Sequence, residues 1–336
     1  MTSDGTRRRP ATPEPHPDST APGPHRGLPA PPPLGATALP PGTYDGTAVL
    51  VTGGGSGLGL AIAAEFARLG ADLVIASRSE PRLTAARAEL AALGGRVATA
   101  VCDIRDPDRV AAAFDAAESA YGLPGVLVNN AAANFPVPAD EMSPNAWRAV
   151  VDATLTGTFF MTREFARRHL AAGTPASVIN IGASYAWTGG PGFAHSAAAK
   201  AGVKSLVETL AVEWGPYGIQ VNGLVPGLMP HEDMTPAIRT ALTAPNAPAD
   251  PNTLADLNTP AAPPPLASRQ PALRVGAPRE LGWAATFLAS PYARFITGHT
   301  LVVDGANWQR RSLVNPPVMP VREQLGRDGA AAFPRP

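Results

Sequence analysis

Between Ile179 and Gly202 the chain reads INIGASYAWTGGPGFAHSAAAKAG, which gathers Tyr185, His195, Ser196 and Lys200 between an expected strand and an expected helix. Of 27 basic residues only two, Lys200 and Lys204, are lysine. An ammonium is one compact charge whose pKa falls readily on burial, whereas a guanidinium is a planar fork that stays charged. A lysine kept where arginine is the habit points to chemistry that needs a single charge at a single spot. The alternative is a solvated helix face, which suits Lys204 better than Lys200. His195 either faces a substrate or packs.

These residues need a scaffold, and the hydrophobic periodicity supplies one. From Thr47 the chain reads as a strand (TAVLVT), a glycine-rich turn (GGGSG) and a helix (LGLAIAAEFARLG) that stops at Gly70. DLVIAS over 72–77 is a second strand, and a helix with Pro81 at its start runs toward Leu93. RVATAVC is a third strand, and Asp106 caps a helix that reaches Tyr121. GVLVNN is nearly all apolar, as a strand covered on both faces should be. A long helical pattern from about Pro144 to Leu170 leads to the strand ASVINI, the Tyr185 stretch and a helix to about Trp214. IQVNGLV, a helix over 278–289 and TLVVDG complete the series. This alternation predicts an α/β fold: a single Rossmann-type doubly wound parallel sheet of about seven strands, helices on both faces, right-handed crossovers.

Three segments fall outside that rhythm. Residues 1–43 hold 12 prolines and few bulky apolar side chains, so a disordered N-terminal arm is expected there. Residues 44–309 form the folded domain. Within it, 235–275 is a Pro/Ala-rich insert after strand six, with nine prolines. It lies on the sheet edge where ligands of such folds bind, either covering a substrate or as a disordered loop. Residues 310–336 read as an irregular tail.

Composition narrows the partners. With 45% hydrophobic and 16% charged residues the chain buries a full core, and its zero net charge argues against nucleic-acid and membrane partners. Cys102 stands alone, which excludes an internal disulfide and fits a reducing compartment. Arg7-Arg8-Arg9 is not followed by an apolar core, and no run of 18 apolar residues occurs. A cytoplasmic location and no metal site are expected.

The turn Thr52-Gly53-x-x-x-Gly57-x-Gly59 sits between strand and helix. Gly53 and Gly57 let the backbone turn sharply toward a pyrophosphate, Gly59 lets the helix pack closely, and the helix N-terminus favours an anion. At the end of strand two an acidic residue would accept the ribose hydroxyls of NAD; this chain has Ser77-Arg78-Ser79, which offers a hydroxyl and a cation to a 2'-phosphate. NADP(H) is therefore the expected cofactor, with Arg78 stacking on adenine as the other use of that side chain. Asp103 could accept the adenine amino group, and Asn129 could hold the strand ends apart.

TGGGSGLG at Thr52, NNAA at Asn129, the Lys200 helix and VPG at Val225 together resemble the short-chain dehydrogenase/reductase family, over about residues 45–307. The resemblance implies an NADP(H)-binding reductase domain with Lys200 on the nicotinamide ribose and Pro226, Gly227 and Leu228 beside the nicotinamide. It also places Ser56, Leu58, Ile104 and Ala131 on the cofactor surface, and implies a homodimer or homotetramer assembled through the helices beside strands four and five. The family's usual tyrosine, four residues before the lysine, is here Ser196. Tyr185 lies 15 residues upstream of Lys200, and SYAWTGGPGFAHSAAAKAG, NNAAANF, VIASRSEPRL and AVEWGPYGIQVN resemble the 2,4-dienoyl-CoA reductase branch.

In that branch the shifted tyrosine bonds the thioester oxygen of a dienoyl-CoA. Conjugate reduction builds negative charge there, so a donor aimed at it lowers the barrier. A tyrosine near its ordinary pKa of about 10 stays protonated at neutral pH, and a neighbouring Lys200 is expected to lower that value. The branch also supplies a second donor, Asn or Asp, from the preceding long helix; VVDATLTGTFF offers Thr154 or Thr156, and Thr156 beside Gly157 matches better. Three readings result: an NADPH-dependent reductase of an enoyl or dienoyl thioester with Tyr185, Lys200, Thr156 and Ser196 at its centre; a carbonyl or alcohol oxidoreductase of secondary metabolism; and a catalytically idle nucleotide-binding module.

Overall fold

The computed structural model describes residues 28–232, 234 and 270–309. The expectations for 1–27, for 235–269 of the insert and for the tail from 310 lie outside the described residues.

Seven strands form one sheet in the order β3-β2-β1-β4-β5-β6-β7, and every neighbouring pair is parallel. They are β1 (Ala48–Thr52), β2 (Asp72–Ser77), β3 (Val97–Val101), β4 (Val126–Asn129), β5 (Ala176–Ile181), β6 (Ile219–Pro226) and β7 (Thr300–Val303). Alternation along each strand divides the core into two layers. Val49, Val51, Leu73 and Ile75 face α1 (Gly57–Arg68), α2 (Glu80–Ala91) and the last helix, α8 (Pro278–Ala289), through Ile62, Phe66, Leu83 and Leu281. Leu50, Val74, Leu127 and Val178 face the other way, onto Phe114 of α3 (Pro107–Tyr121), Phe165 of α5 (Gly157–Ala172) and Val207 of α7 (Ala194–Trp214). The strand order reverses direction between β1 and β4, which opens a crevice at their carboxyl ends. There Thr52, Asn129 and Asn180 stand in register across β1, β4 and β5, so the apolar sheet turns polar where a ligand would meet it.

Caps and breaks follow the sequence. Asp106 accepts from the N–H of Asp108 at 2.9 Å and opens α3. The long pattern expected from Pro144 to Leu170 is not one helix: α4 (Pro144–Val151) passes through a π-helical turn, Asp152–Thr156, into α5. The hydroxyls of Thr158 and Thr162 bond back to the carbonyls of Thr154 and Thr158 at 2.8 and 2.7 Å. A Cβ on Gly157 would lie 2.6 Å from Ile104, so the chain crosses the end of β3 with no room to spare. Such turns interrupt helices where backbone must be re-aimed.

The near end of the expected N-terminal arm is placed against the fold. Leu28 donates its N–H to the Ala272 carbonyl at 2.9 Å. Carbonyls of Pro29, Pro32 and Ala36 accept from Arg274, Arg279 and Trp283 at 2.9, 2.8 and 3.1 Å. Tyr44 is buried and donates to the Thr286 carbonyl at 2.5 Å. Prolines offer carbonyls and no N–H, so this stretch is held by donors from Arg274 and α8, with Leu39 and Tyr44 packing onto the core. No described helix is long and apolar enough to cross a membrane.

Candidate active site

The crevice between β1 and β4 begins with the glycine turn. Gly53 and Gly57 hold φ of +66° and +55°, a region side chains avoid. A Cβ on Gly59 would stand 2.3 Å from the Gly53 carbonyl oxygen and 2.5 Å from Asn130 Nδ2. The turn is thus a cradle of bare backbone opening at the N-terminus of α1, which fits a pyrophosphate. Thr52 Oγ1 accepts from the N–H groups of Asn130 and Ala131 at 3.0 and 3.1 Å, and Asn130 Nδ2 donates to the Thr52 carbonyl at 3.2 Å. Asn130, which the sequence did not single out, therefore ties the end of β4 to the cradle. Asn129 donates instead to Thr162 at 2.8 Å and to Asn180 at 2.9 Å, so it holds the strand ends through α5 and β5.

Along the β2–β3 edge the charge is largely cationic. Arg78 is exposed at the end of β2, and Ser77 Oγ bonds the N–H of Ser79 at 3.3 Å. Arg82, one turn into α2, donates to Ser56 Oγ at 3.4 Å, which brings a second guanidinium to the mouth of the cradle. Asp103 is engaged by Arg105 through Nε at 2.9 Å and Nη2 at 2.5 Å. That hydrogen-bonded guanidinium, with Arg78 a lesser contributor, holds the Asp103 carboxyl below its ordinary pKa.

The stretch from Ile179 to Gly202 folds into a second cluster beyond β5. Tyr185 begins a short helix, α6 (Tyr185–Thr188), and its hydroxyl bonds Ser196 Oγ on α7 at 2.9 Å. Its ring stacks on Phe193, centroids 6.4 Å apart and planes 6° from parallel. From the loop after β4, Asn134 extends its amide Nδ2 to 3.5 Å from the Tyr185 hydroxyl. That loop is anchored twice: the Val137 N–H donates to the Gly192 carbonyl at 2.8 Å, and Ala133 bonds the Thr154 hydroxyl through its N–H at 3.3 Å and its carbonyl at 3.2 Å. Thr154 is fully buried and committed to this loop. Thr156 is half-buried at the last position of the π turn. The polar side chain beside Tyr185 hence comes from the loop that follows β4. Asn134 lies within the quoted NNAAANF, where a polar residue in an otherwise small and apolar loop at a strand's carboxyl end was the available signal.

One expectation is corrected. Lys200 does not lower the pKa of Tyr185; burial raises it, opposed by the bond from Ser196. Lys200 is itself buried, donates to the Ile181 carbonyl at 2.5 Å, and is pushed down by burial to about 8. Its charge is directed to the end of β5. Beyond β6, the Gly227 N–H donates to Val303 at 2.9 Å, and a Cβ there would lie 2.5 Å from Asp304 Cα, so Gly227 and Leu228 are laid against β7. They border a cavity of about 340 Å³ that Leu28, Met229, Arg274 and Asp304 also line. Trp187 of α6 stacks on Trp308 at 5.4 Å, which joins the tyrosine-bearing turn to the segment after β7.

Comparison with known proteins agrees with this geometry. Residues 53–306 match the family described as Enoyl-(Acyl carrier protein) reductase. A probable 2,4-dienoyl-CoA reductase of Bacillus subtilis is 36% identical over 262 residues, 78% of this chain and 96% of that protein. The peroxisomal 2,4-dienoyl-CoA reductase of Rattus norvegicus is 38% identical over 77% of this chain and 82% of its own. Among solved structures, a short chain dehydrogenase from Bacillus anthracis is 34% identical with a TM-score of 0.66, covering 78% of this chain and 96% of that one. A citronellol catabolism dehydrogenase of Pseudomonas aeruginosa is 32% identical with a TM-score of 0.65, covering 81% and 99%. With its 3-2-1-4-5-6-7 parallel sheet, its glycine cradle and a match that spans nearly the whole described fold, the chain belongs to the short-chain dehydrogenase/reductase family of oxidoreductases.

Proposed function

We propose that this oxidoreductase reduces a conjugated enoyl or dienoyl thioester, CoA-linked, with NADPH. The observation that carries the reading is the meeting of Tyr185 and Asn134: a phenol from the start of α6 and an amide from the loop after β4 stand 3.5 Å apart. Bound NADPH would supply the hydride. Gly53, Ser56, Gly57, Leu58 and Gly59 cradle its pyrophosphate, and Ser77, Arg78 and Arg82 receive the 2'-phosphate. Asp103, Ile104, Asn129 and Ala131 border the nucleoside, while Lys200, Pro226, Gly227 and Leu228 border the nicotinamide end.

What the chain's own residues do follows from where charge develops. As the far end of the conjugated system is reduced, the thioester oxygen becomes anionic, and donors fixed before the reaction stabilise it without reorganising. Tyr185 donates to that oxygen; its raised pKa keeps it protonated across the neutral range. Ser196 orients the phenol, Asn134 adds a second donor, and Thr156, at the end of the π turn before α5, is the further hydroxyl that segment offers. Water protonates the carbon. The relatives named as 2,4-dienoyl-CoA reductases support the thioester. Exposed Trp147 on α4, Phe159 on α5 and Val212 on α7 support assembly as a homodimer or homotetramer, and the lone Cys102 supports a reducing, cytoplasmic location.

The test is oxidation of NADPH with a 2,4-dienoyl-CoA, followed at the dienoyl chromophore. Tyr185→Phe is expected to lower kcat about a hundredfold or more while NADPH still binds. Turnover by the variant at the wild-type rate removes Tyr185 from the chemistry. The likeness to a citronellol catabolism dehydrogenase favours a second reading, oxidation and reduction of an alcohol or carbonyl. Turnover of such a compound with none of the dienoyl thioester decides for it.

A further inference from the structure

We infer that His195 is the positioning residue for Tyr185: its neutral imidazole fixes the first turn of α7, and that turn sets the Ser196 hydroxyl to which the phenol is bonded. This rests on the reading of Tyr185 given above. α7 begins at Ala194 behind Phe193, which has no side-chain group to cap it. The imidazole serves that first turn instead, since His195 Nδ1 accepts the Ser196 N–H at 2.7 Å. The ring is fully buried and meets Phe135 edge-on, centroids 4.9 Å apart and planes at 82°. Phe135 follows Asn134 in the chain, so one buried ring touches both the loop that carries Asn134 and the helical turn that carries Ser196, the two neighbours of the Tyr185 hydroxyl.

The polarity of the ring is what packing alone leaves unexplained. With Nδ1 accepting, the proton resides on Nε2, and Nε2 is buried with no partner among the described residues. An apolar ring would fill the same space against Phe135 without leaving a polar atom unpaired. The feature that needs a histidine is the acceptor at Nδ1.

That acceptor exists only in the neutral ring. Protonation would put a hydrogen on Nδ1 facing the Ser196 N–H and so cost that bond; the Phe193 carbonyl, which accepts the Ala197 N–H at 2.8 Å, is the neighbouring acceptor. Burial favours the neutral form and the Phe193 carbonyl the charged one, with burial dominant. Among the described residues, the loop after β4 brings Phe135, uncharged, to the ring, and α7 brings Ser196, through which Tyr185 of α6 is reached; Lys200, further along α7, has its ammonium on the Ile181 carbonyl. The acid side of the rate profile is then the imidazole's.

The experiment compares wild type, His195→Asn, which retains an acceptor near Nδ1, and His195→Leu, which retains bulk only. NADPH and dienoyl-CoA are the probes, between pH 5 and 8, with Tm measured alongside. His195→Leu should lose roughly ten- to a hundredfold in kcat, the scale of a displaced catalytic group, at unchanged NADPH affinity. His195→Asn should recover most of it and lose the acid limb that wild type shows. Wild-type kcat in the leucine variant, or an acid limb that persists in the asparagine variant, overturns the assignment. Nitrogen NMR of 15N-histidine wild-type protein, with His195→Asn identifying the resonance, reads the tautomer without any turnover. A neutral ring protonated at Nε2 supports the proposal and an imidazolium at pH 7 overturns it. If wild type reduces no conjugated thioester, the substrate reading fails, and the NMR result still decides His195.

Discussion

The two ends of the crevice are built from different materials. At the β1 end the ligand surface is backbone: Gly53 and Gly57 take left-handed conformations and Gly59 leaves no room for a methyl group. At the β5 end it is side chain: Tyr185 from α6, Ser196 from α7 and Asn134 from the loop after β4 meet at one hydroxyl. A backbone surface depends on residues adjacent in sequence and tolerates almost no substitution. A side-chain surface depends on loops far apart in the chain, whose relative placement the sheet must supply. On the function proposed above, the first holds the cofactor and the second decides what is reduced.

The comparison breaks most sharply at Gly59. Gly59→Ala forces a methyl group against the Gly53 carbonyl. Overpacking of this kind costs up to about 3 kcal/mol, or about a hundredfold in NADPH affinity, read by cofactor fluorescence with circular dichroism confirming the fold. Gly55→Ala is the control, because a Cβ there meets Arg82 at an ordinary 3.4 Å and Gly55 has no left-handed backbone. Equal losses in both variants would mean that the turn binds by general flexibility rather than by close approach. The side chains at the rim of the cradle come next. Removing a charged hydrogen-bonding partner by Arg78→Ala should cost about 2 kcal/mol, roughly thirtyfold in the KM for NADPH, and leave the KM for NADH unchanged. A parallel rise with NADH would show Arg78 stacking on adenine.

The same contrast explains what could be read before the structure. Strand ends, the Asp106 cap and the bounds of α8 follow from periodicity and local punctuation, which are properties of neighbouring residues. The nucleotide cradle was legible for the same reason. Asn134 was not, because its meaning lies in a contact 51 positions along the chain with Tyr185. Nor was the docking of residues 28–44, where the carbonyls of Pro29, Pro32 and Ala36 are held by donors contributed more than 200 residues later. Thr154 and Thr156 looked alike in sequence; only the fold turns Thr154 onto Ala133. Asn134→Ala should lower kcat about tenfold with little change in cofactor affinity, and Thr156→Val should do less. The reverse order in stopped-flow single turnovers would return the second donor to the long helix.

An effect on stability rather than on turnover separates Lys200 from the rest of the side-chain cluster, since its ammonium is spent on the Ile181 carbonyl rather than on Tyr185. Burial lowers its pKa from 10.5 to about 8. Between those two values the unfolded chain holds a proton that the folded chain has released, so the unfolded state binds more protons and stability rises with pH. Below pH 8 both states are charged and the slope vanishes. Relative to Lys200→Met, wild type should therefore gain on unfolding by urea at most about 1.4 kcal/mol per pH unit across this window, and nothing between pH 6 and 7.5. A flat difference from pH 8 to 10 would mean that the folded protein keeps Lys200 charged. The ammonium would then have a second stabilising partner at the end of β5, and its influence on Tyr185 would have to be reconsidered.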